Sequence, residues 1–226
     1  MNNMIIACQT LQDELNKVML ETECQYPITW VDSEYHIDPD KLRNKLQEEI
    51  DQVTQIENIF LVYGSCGNGL VGLQASTANL IIPRTDDCIS MVLSQRGQEF
   101  QRHKQTYFFT KGWMDGSKSL IKEYSHTLER YGPKRAKRIF DQMLKHYRHL
   151  MLIDTGAYIL EDIQEQVTEL AQNLDLELVV AKGELWWLRQ LLEGPYDENF
   201  CVISKGESVQ MKHFGDASRR SAHQII

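Results

Sequence analysis

The segment Ile59-Phe60-Leu61-Val62-Tyr63-Gly64-Ser65-Cys66-Gly67-Asn68-Gly69 joins an unbroken apolar run to a glycine-rich loop that carries a cysteine. A short apolar run bounded by turn residues is the pattern of a buried strand. The same order occurs twice more. Met4-Ile5-Ile6-Ala7 runs straight into Cys8, and Leu80-Ile81-Ile82 leads through Pro83-Arg84-Thr85-Asp86-Asp87 to Cys88. Helical spacing lies between these runs. Leu11, Leu15 and Met19 recur every four residues, and Asp38-Pro39 offers a cap followed by proline at the first helical position. Alternating strands and helices predict an α/β fold with mostly parallel sheets. If the three runs are neighbouring parallel strands, their thiols emerge on one sheet edge, where open α/β sheets place their ligands.

The rhythm returns later in the chain. Leu150 to Ile153, Leu176 to Ala181 and Asn199 to Ser204 read as strands, with helices over about 160–174 and 184–192. Between the two stretches lies a helical middle from Lys118 to Arg148, broken at Gly132-Pro133. The expected organisation is two similar Rossmann-like halves joined by long helices. Residues 1–115 form the half with the cysteines, 116–149 the helical connector and 150–226 the second half.

Bulk composition narrows the class. The 226 residues are 42% hydrophobic and 25% charged, an ordinary soluble composition. No apolar run approaches the roughly 20 residues that span a bilayer. The amino terminus lacks the order of a secretory signal, so a cytoplasmic protein is expected. A net charge of −8 argues against a nucleic-acid partner. The basic stretch Pro133-Lys134-Arg135-Ala136-Lys137-Arg138 is the exception and reads first as a solvated helix face.

Five cysteines in a reducing compartment point away from disulfides and toward metal binding or catalysis. Cys24 and Cys201 lack the strand-then-loop placement and read as packing residues. Cys8, Cys66 and Cys88 each lie between a strand and an expected helix, where the helix dipole lowers a thiol pKa. Three thiolates at one edge suit zinc with a fourth place open or filled by histidine, or an iron–sulfur cluster. A metal-free nucleophilic or redox thiol is the alternative. Gly64, Gly67, Asn68 and Gly69 would let backbone approach the metal or ligand beside Cys66. Asp87 is a candidate for orienting a ligand, and Arg84 for gripping a carboxylate or phosphate. His36, just before a helix start, is the candidate fourth ligand. Asp154, in Asp154-Thr155-Gly156, is a candidate base or ligand to a substrate hydroxyl.

Several segments together resemble one family: Ile6-Ala7-Cys8, His36 with Pro39 and Leu42, Tyr63 to Gly69, and Pro83-Arg84 with Asp87-Cys88. Tyr107-Phe108, Gly112-Trp113, Asp154-Thr155-Gly156, Leu191-Leu192-Glu193-Gly194, Tyr196-Asp197 and Phe200 extend the likeness. The family is an α/β domain of unknown function from anaerobic bacteria and archaea, often encoded near corrinoid-dependent methyltransferases and corrinoid proteins. The resemblance implies a setting in one-carbon metabolism. The resulting expectation is a metal-dependent methyltransferase or its accessory protein, acting with a small polar substrate or methyl acceptor. The competing expectation is a non-catalytic partner that docks a corrinoid protein or methyltransferase through the basic helix.

Overall fold

The computed structural model describes residues 2–98 and 101–215, so the end of the 150–226 segment lies outside the described residues. The first strand, β1 (Asn3–Cys8), is followed by a 3-10 turn and helix α1 (Gln12–Glu21). Strand β2 (Ile28–Val31) leads through the turn Ser33–Ile37 to α2 (Pro39–Asp51). Asp38 caps α2 as its sequence predicts: its carboxylate accepts the amides of Asp40 and Lys41, and Pro39 takes the first turn. Then come β3 (Asn58–Val62), β4 (Asn79–Pro83) and the short α3 (Cys88–Leu93). The middle of the chain holds β5 (Thr106–Phe109), α4 (Lys111–Asp115), α5 (Leu120–Tyr131) and α6 (Pro133–Met143). The last elements are β6 (His149–Asp154), α7 (Glu161–Asn173), β7 (Glu177–Lys182), α8 (Trp186–Glu193) and β8 (Phe200–Ile203).

Two sheets result, both mostly parallel, as an α/β Rossmann-like fold requires. The first has the order β2-β1-β3-β4-β8, and the second β5-β6-β7. Strands β1, β3 and β4 are adjacent and parallel, with Met4 opposite Ile59 and Ile59 opposite Leu80. Two placements differ from the sequence expectation. Strand β8, read with the second stretch, pairs antiparallel to β4 at the edge of the first sheet. The helices α5 and α6 lie between β5 and β6, which pair with each other, so they connect two strands of one sheet. Strand β2 is not among the strands expected from the sequence, although Ile28-Thr29-Trp30-Val31 has strand composition.

The two-residue period of each strand sorts its side chains between layers. Ile5, Ala7, Phe60, Val62 and Ile81 face α1, α3 and α8, and the same buried cluster takes Met151 and Ile153 from β6. That layer of helices therefore lies between the two sheets. The alternate residues Ile6, Cys8, Ile59, Leu61, Leu80 and Ile82 pack with Leu42, Leu46 and Ile50 of α2. Phe109, Leu150 and Leu152 bury against α5, α6 and α7 on the outer face of the second sheet. Full burial of such a side chain contributes about 1.5–3 kcal/mol, enough to fix each strand's register. No described helix is long and apolar enough to cross a membrane.

Candidate functional site

The parallel pairing of β1, β3 and β4 brings their carboxyl ends to one edge, and each end leads to one of the three cysteines. Cys8 is the last residue of β1 and is buried. Its Sγ lies 3.0 Å from Thr10 Oγ1 and 3.0 Å from His36 Nε2. His36 belongs to the turn Ser33–Ile37, which Asp32 initiates by accepting the Glu34 amide at 2.8 Å. The imidazole stacks on Tyr63, with centroids 5.8 Å apart, and meets the edge of Trp113 at 6.1 Å.

Cys66 and Cys88 are drawn together by their backbones. The Ser65 amide donates to Thr85 O and the Cys66 amide to Asp86 O, each at 2.8 Å. This zipper leaves no room at Gly64, where a Cβ would stand 2.6 Å from both Asp87 N and Thr85 O. Three successive residues then take positive φ: Cys66 at 45°, Gly67 at 63° and Asn68 at 71°. The expected short helix after Gly69 is instead a run of turns from Cys66 to Gly72. Cys88 opens α3. Its neighbour Asp87 caps that helix by accepting from Ser90 N at 2.8 Å and Ser90 Oγ at 2.9 Å, and it pairs with Arg102. Asp87 is thus occupied as cap and ion-pair partner. The Trp113 indole N–H donates to Cys88 Sγ at 3.4 Å. Trp113 is held over the edge because α4 sits directly on Thr10. A Cβ on Gly112 would come within 2.0 Å of Thr10 O.

The electrostatics overturn one expectation. Helix-dipole activation of the thiols does not prevail. Burial pushes Cys8 up to about 11, against the lowering effect of Thr10. Burial raises Cys66 well above the ordinary thiol range, and the nearby Cys88, Asp87 and Cys8 add to it. Cys88 is raised by burial, then by Asp87 and Cys8. Each thiol therefore lies within electrostatic reach of the other two, in a region that disfavours added negative charge. Burial lowers His36 to about 4, opposed by Asp87, so its ring is neutral at pH 7 with a lone pair to offer.

Among the described residues, no group of three or more His, Cys, Asp and Glu side chains stands in a geometry that could hold a metal ion. Cys8 is turned toward Thr10 and His36, and Cys88 toward Trp113. Cys66 as a residue is half-buried, while Cys8 and Cys88 are buried. Gly67 and Asn68 are exposed, and the Asn68 carbonyl accepts from Arg43.

Two other candidates have local partners of their own. Arg84 is exposed, and its Nε donates to Phe200 O at 3.2 Å, which ties β4 to β8. Asp154 ends β6 in the second sheet and accepts the Gly156 amide at 3.0 Å. No described hydrogen bond or ion pair joins it to the cysteines. Its neighbour Thr155 does cross between the sheets, donating to the buried Glu14 at 2.9 Å. A cleft of about 280 Å³ opens beside that contact, lined by Lys17, Thr155, Gly183, Glu184, Trp186 and Arg189, and it touches none of the thiols.

Sequence reading missed Thr10, Tyr63 and Glu14. Thr10 gives no signal beyond standing two residues from Cys8. Tyr63 reads as the last apolar residue of a strand. Glu14 lies between Leu11 and Leu15 on the buried face of α1, and a carboxylate flanked in this way was the available signal.

The sequence matches the family described as Protein of unknown function (DUF1638) over residues 30–192, more than half of the chain. Comparison with the curated proteins and with the solved structures gives no significant match.

Proposed function

The chain belongs to the DUF1638 family, and from that premise we propose that the carboxyl edge of its first sheet is a thiolate metal centre. Cys8, Cys66 and Cys88 supply sulfur and His36 supplies nitrogen. The observation that carries this reading is the convergence of three electrostatically coupled thiols, one of them 3.0 Å from a neutral imidazole. Buried thiols that raise one another's pKa are poor free nucleophiles, but a cation reverses the cost by drawing off their protons. As placed, the side chains serve the neutral state, with Cys8 and Cys88 hydrogen-bonded to Thr10 and Trp113. Loading requires the thiols to rotate about their χ1 bonds while the backbone zipper stays in place.

The Cys8–His36 contact favours a single zinc ion over an iron–sulfur cluster. Zinc–sulfur and zinc–nitrogen bonds of about 2.3 and 2.0 Å place two tetrahedral ligands roughly 3.5 Å apart. The observed 3.0 Å needs only a small opening to admit the ion. A cluster spreads its ligands over separate irons. With a donor set of three sulfurs and one nitrogen, zinc would act as a Lewis acid on a thiol or other small acceptor that displaces His36. The role we assign is methyl transfer, or its support, in corrinoid-linked one-carbon metabolism, which is the setting that the family resemblance implies.

Serine replacement tests the centre residue by residue. Cys8→Ser, Cys66→Ser and Cys88→Ser should each lose stoichiometric zinc, and Cys24→Ser should keep it. Equal metal content in all four would overturn the reading.

A second reading rests on α6. Ile139 and Met143 are exposed there beside the exposed Lys134, Arg135 and Arg138. A docking surface for an acidic partner accounts for this face. It requires that reversing the charges at Lys134 and Arg138 abolish binding of a corrinoid protein while the metal content is unchanged.

A further inference from the structure

Helices α6 and α7 lie side by side on the outer face of the second sheet. Phe140 of α6 buries in one cluster with Ile163, Val167 and Leu170 of α7, and Lys137 reaches across to Asp175 just past the end of α7. Their outward faces carry opposite charge. Of the four bases on α6, Lys137 is paired, while Lys134, Arg135 and Arg138 are exposed and make no ion pair or side-chain hydrogen bond among the described residues. Helix α7 holds four acids and no base. Glu161, Glu165 and Glu169 form an exposed row at spacing four, equally unpaired among the described residues. They edge a shallow trough of about 580 Å³ that Gln164, Thr168 and Gln172 complete. Like charges four residues apart repel by about 0.2–0.5 kcal/mol per pair, and each helix carries that cost without a partner inside the chain. Ile139 and Met143 add exposed apolar surface on α6.

We propose that these two faces form one self-complementary interface, through which the chain pairs with a second copy of itself. A two-fold axis along the seam between the helices sets α6 of each copy against α7 of the other, so a single contact answers both unpaired faces and closes as a dimer. The spacings match: Lys134 and Arg138, like Glu165 and Glu169, are separated by one helical step of about 6 Å. Two chains of net charge −8 repel at long range, so a self-contact needs a local reversal of sign, which α6 supplies. A face two helices wide, each about 16–20 Å long, lies at the small end of specific interfaces, so the dimer should be reversible. The inference uses no residue of the thiol edge and does not depend on the metal centre. It competes with the docking of a corrinoid protein for α6, because it names the acidic partner as α7 of a second copy.

Sedimentation of the full chain from about 1 to 300 μM tests the pairing, and a monomer–dimer equilibrium is expected. Lys134→Glu with Arg138→Glu puts acids on both faces, and Glu165→Lys with Glu169→Lys puts bases on both. Each doubly reversed chain should self-associate at least about 100-fold more weakly. Mixed in equal amounts, the two should form a one-to-one dimer, because every contact again joins opposite charges. Glu57→Lys with Glu198→Lys changes net charge equally at exposed positions off this face and should leave the dimer intact. A wild-type chain that stays monomeric would overturn the inference and leave α6 to a different acidic partner. A dimer that survives both reversals, a mixture that stays monomeric, or a dimer lost equally in the Glu57 and Glu198 variant would overturn it too. If a reversed chain does not fold, carbodiimide cross-linking of isotope-labelled with unlabelled wild type decides. It should join α6 peptides of one copy to α7 peptides of the other, and cross-links confined to other segments would refute the interface.

Discussion

The sulfur of Cys8 and Nε2 of His36 stand 3.0 Å apart although 28 positions separate them in the chain. Two constraints produce the contact. Parallel pairing of β1 with β2 carries the chain back to the same sheet edge, with Cys8 opposite Val31. The Asp32-initiated turn then directs the histidine over the strand end. A neutral imidazole beside a buried thiol is an acceptor and donor pair, and the two would be ligands of the centre proposed above.

Replacing that imidazole separates the two roles. His36→Ala should reduce zinc affinity at least about 100-fold, because losing a ligand should cost no less than the 10–100-fold typical of an outer contact. Competition against a chelator measures it. Unchanged affinity would leave three sulfurs as the complete protein donor set.

The raised thiols make a kinetic statement about the metal-free chain. With Cys8 at about 11, only about one molecule in ten thousand carries its thiolate at pH 7. Iodoacetamide labelling of Cys8 followed by peptide mass spectrometry should be slow at neutral pH. It should accelerate about tenfold per pH unit between roughly pH 8 and 10. Fast labelling of Cys8 at pH 7 would favour a metal-free thiol enzyme instead.

The backbone at Cys66 gives a test that needs no metal. Its φ of 45° lies in the left-handed region, which costs a residue with a Cβ about 1–2 kcal/mol relative to glycine. Cys66→Gly should therefore be about 1 kcal/mol more stable in urea than Cys66→Ala. The reverse order would mean that the turn does not hold this conformation.

Glu14 should govern a pH dependence of stability. Burial raises its carboxyl from 4.5 to about 7, and the side chain is fully inaccessible. Between those values the folded chain keeps a proton that the unfolded chain has released. Stability therefore falls as pH rises through that window, by about 3 kcal/mol in all, and Glu14 contributes no further change above it. Glu14→Gln keeps an acceptor for Thr155 and cannot ionise, so urea titrations of the variant should lack this slope. An identical slope in both proteins would exclude Glu14 as its source.

Much of this arrangement could be read from residue order. Apolar runs ending at Cys8, before Cys66 and before Cys88 were enough to predict strands of a mostly parallel α/β fold, while their adjacency entered only as a condition. The Asp38-Pro39 cap and the break at Gly132-Pro133 are local chemistry and were equally legible. Long-range pairing was not. Nothing in Phe200-Cys201-Val202-Ile203 states that it will pair with β4, since an edge partner is chosen by tertiary packing. Arg84 and Asp154 appeared as site residues because they follow strands. Their actual partners, Phe200 O and the Gly156 amide, depend on that unreadable pairing and on a local turn. Thiol activation failed as an inference for a physical reason. A helix terminus contributes a modest favourable field, and complete burial outweighs it.

The central claim is that one ion is held by three cysteine sulfurs at a single sheet edge. Its most direct test is elemental analysis, with a visible spectrum, of the full chain purified without oxygen in zinc-supplemented medium. The account predicts a colourless protein with about one zinc per chain that is lost in Cys88→Ser. Brown protein with iron and sulfide would preserve the thiol ligation and refute the choice of ion. A folded wild-type chain without stoichiometric metal would contradict the centre altogether.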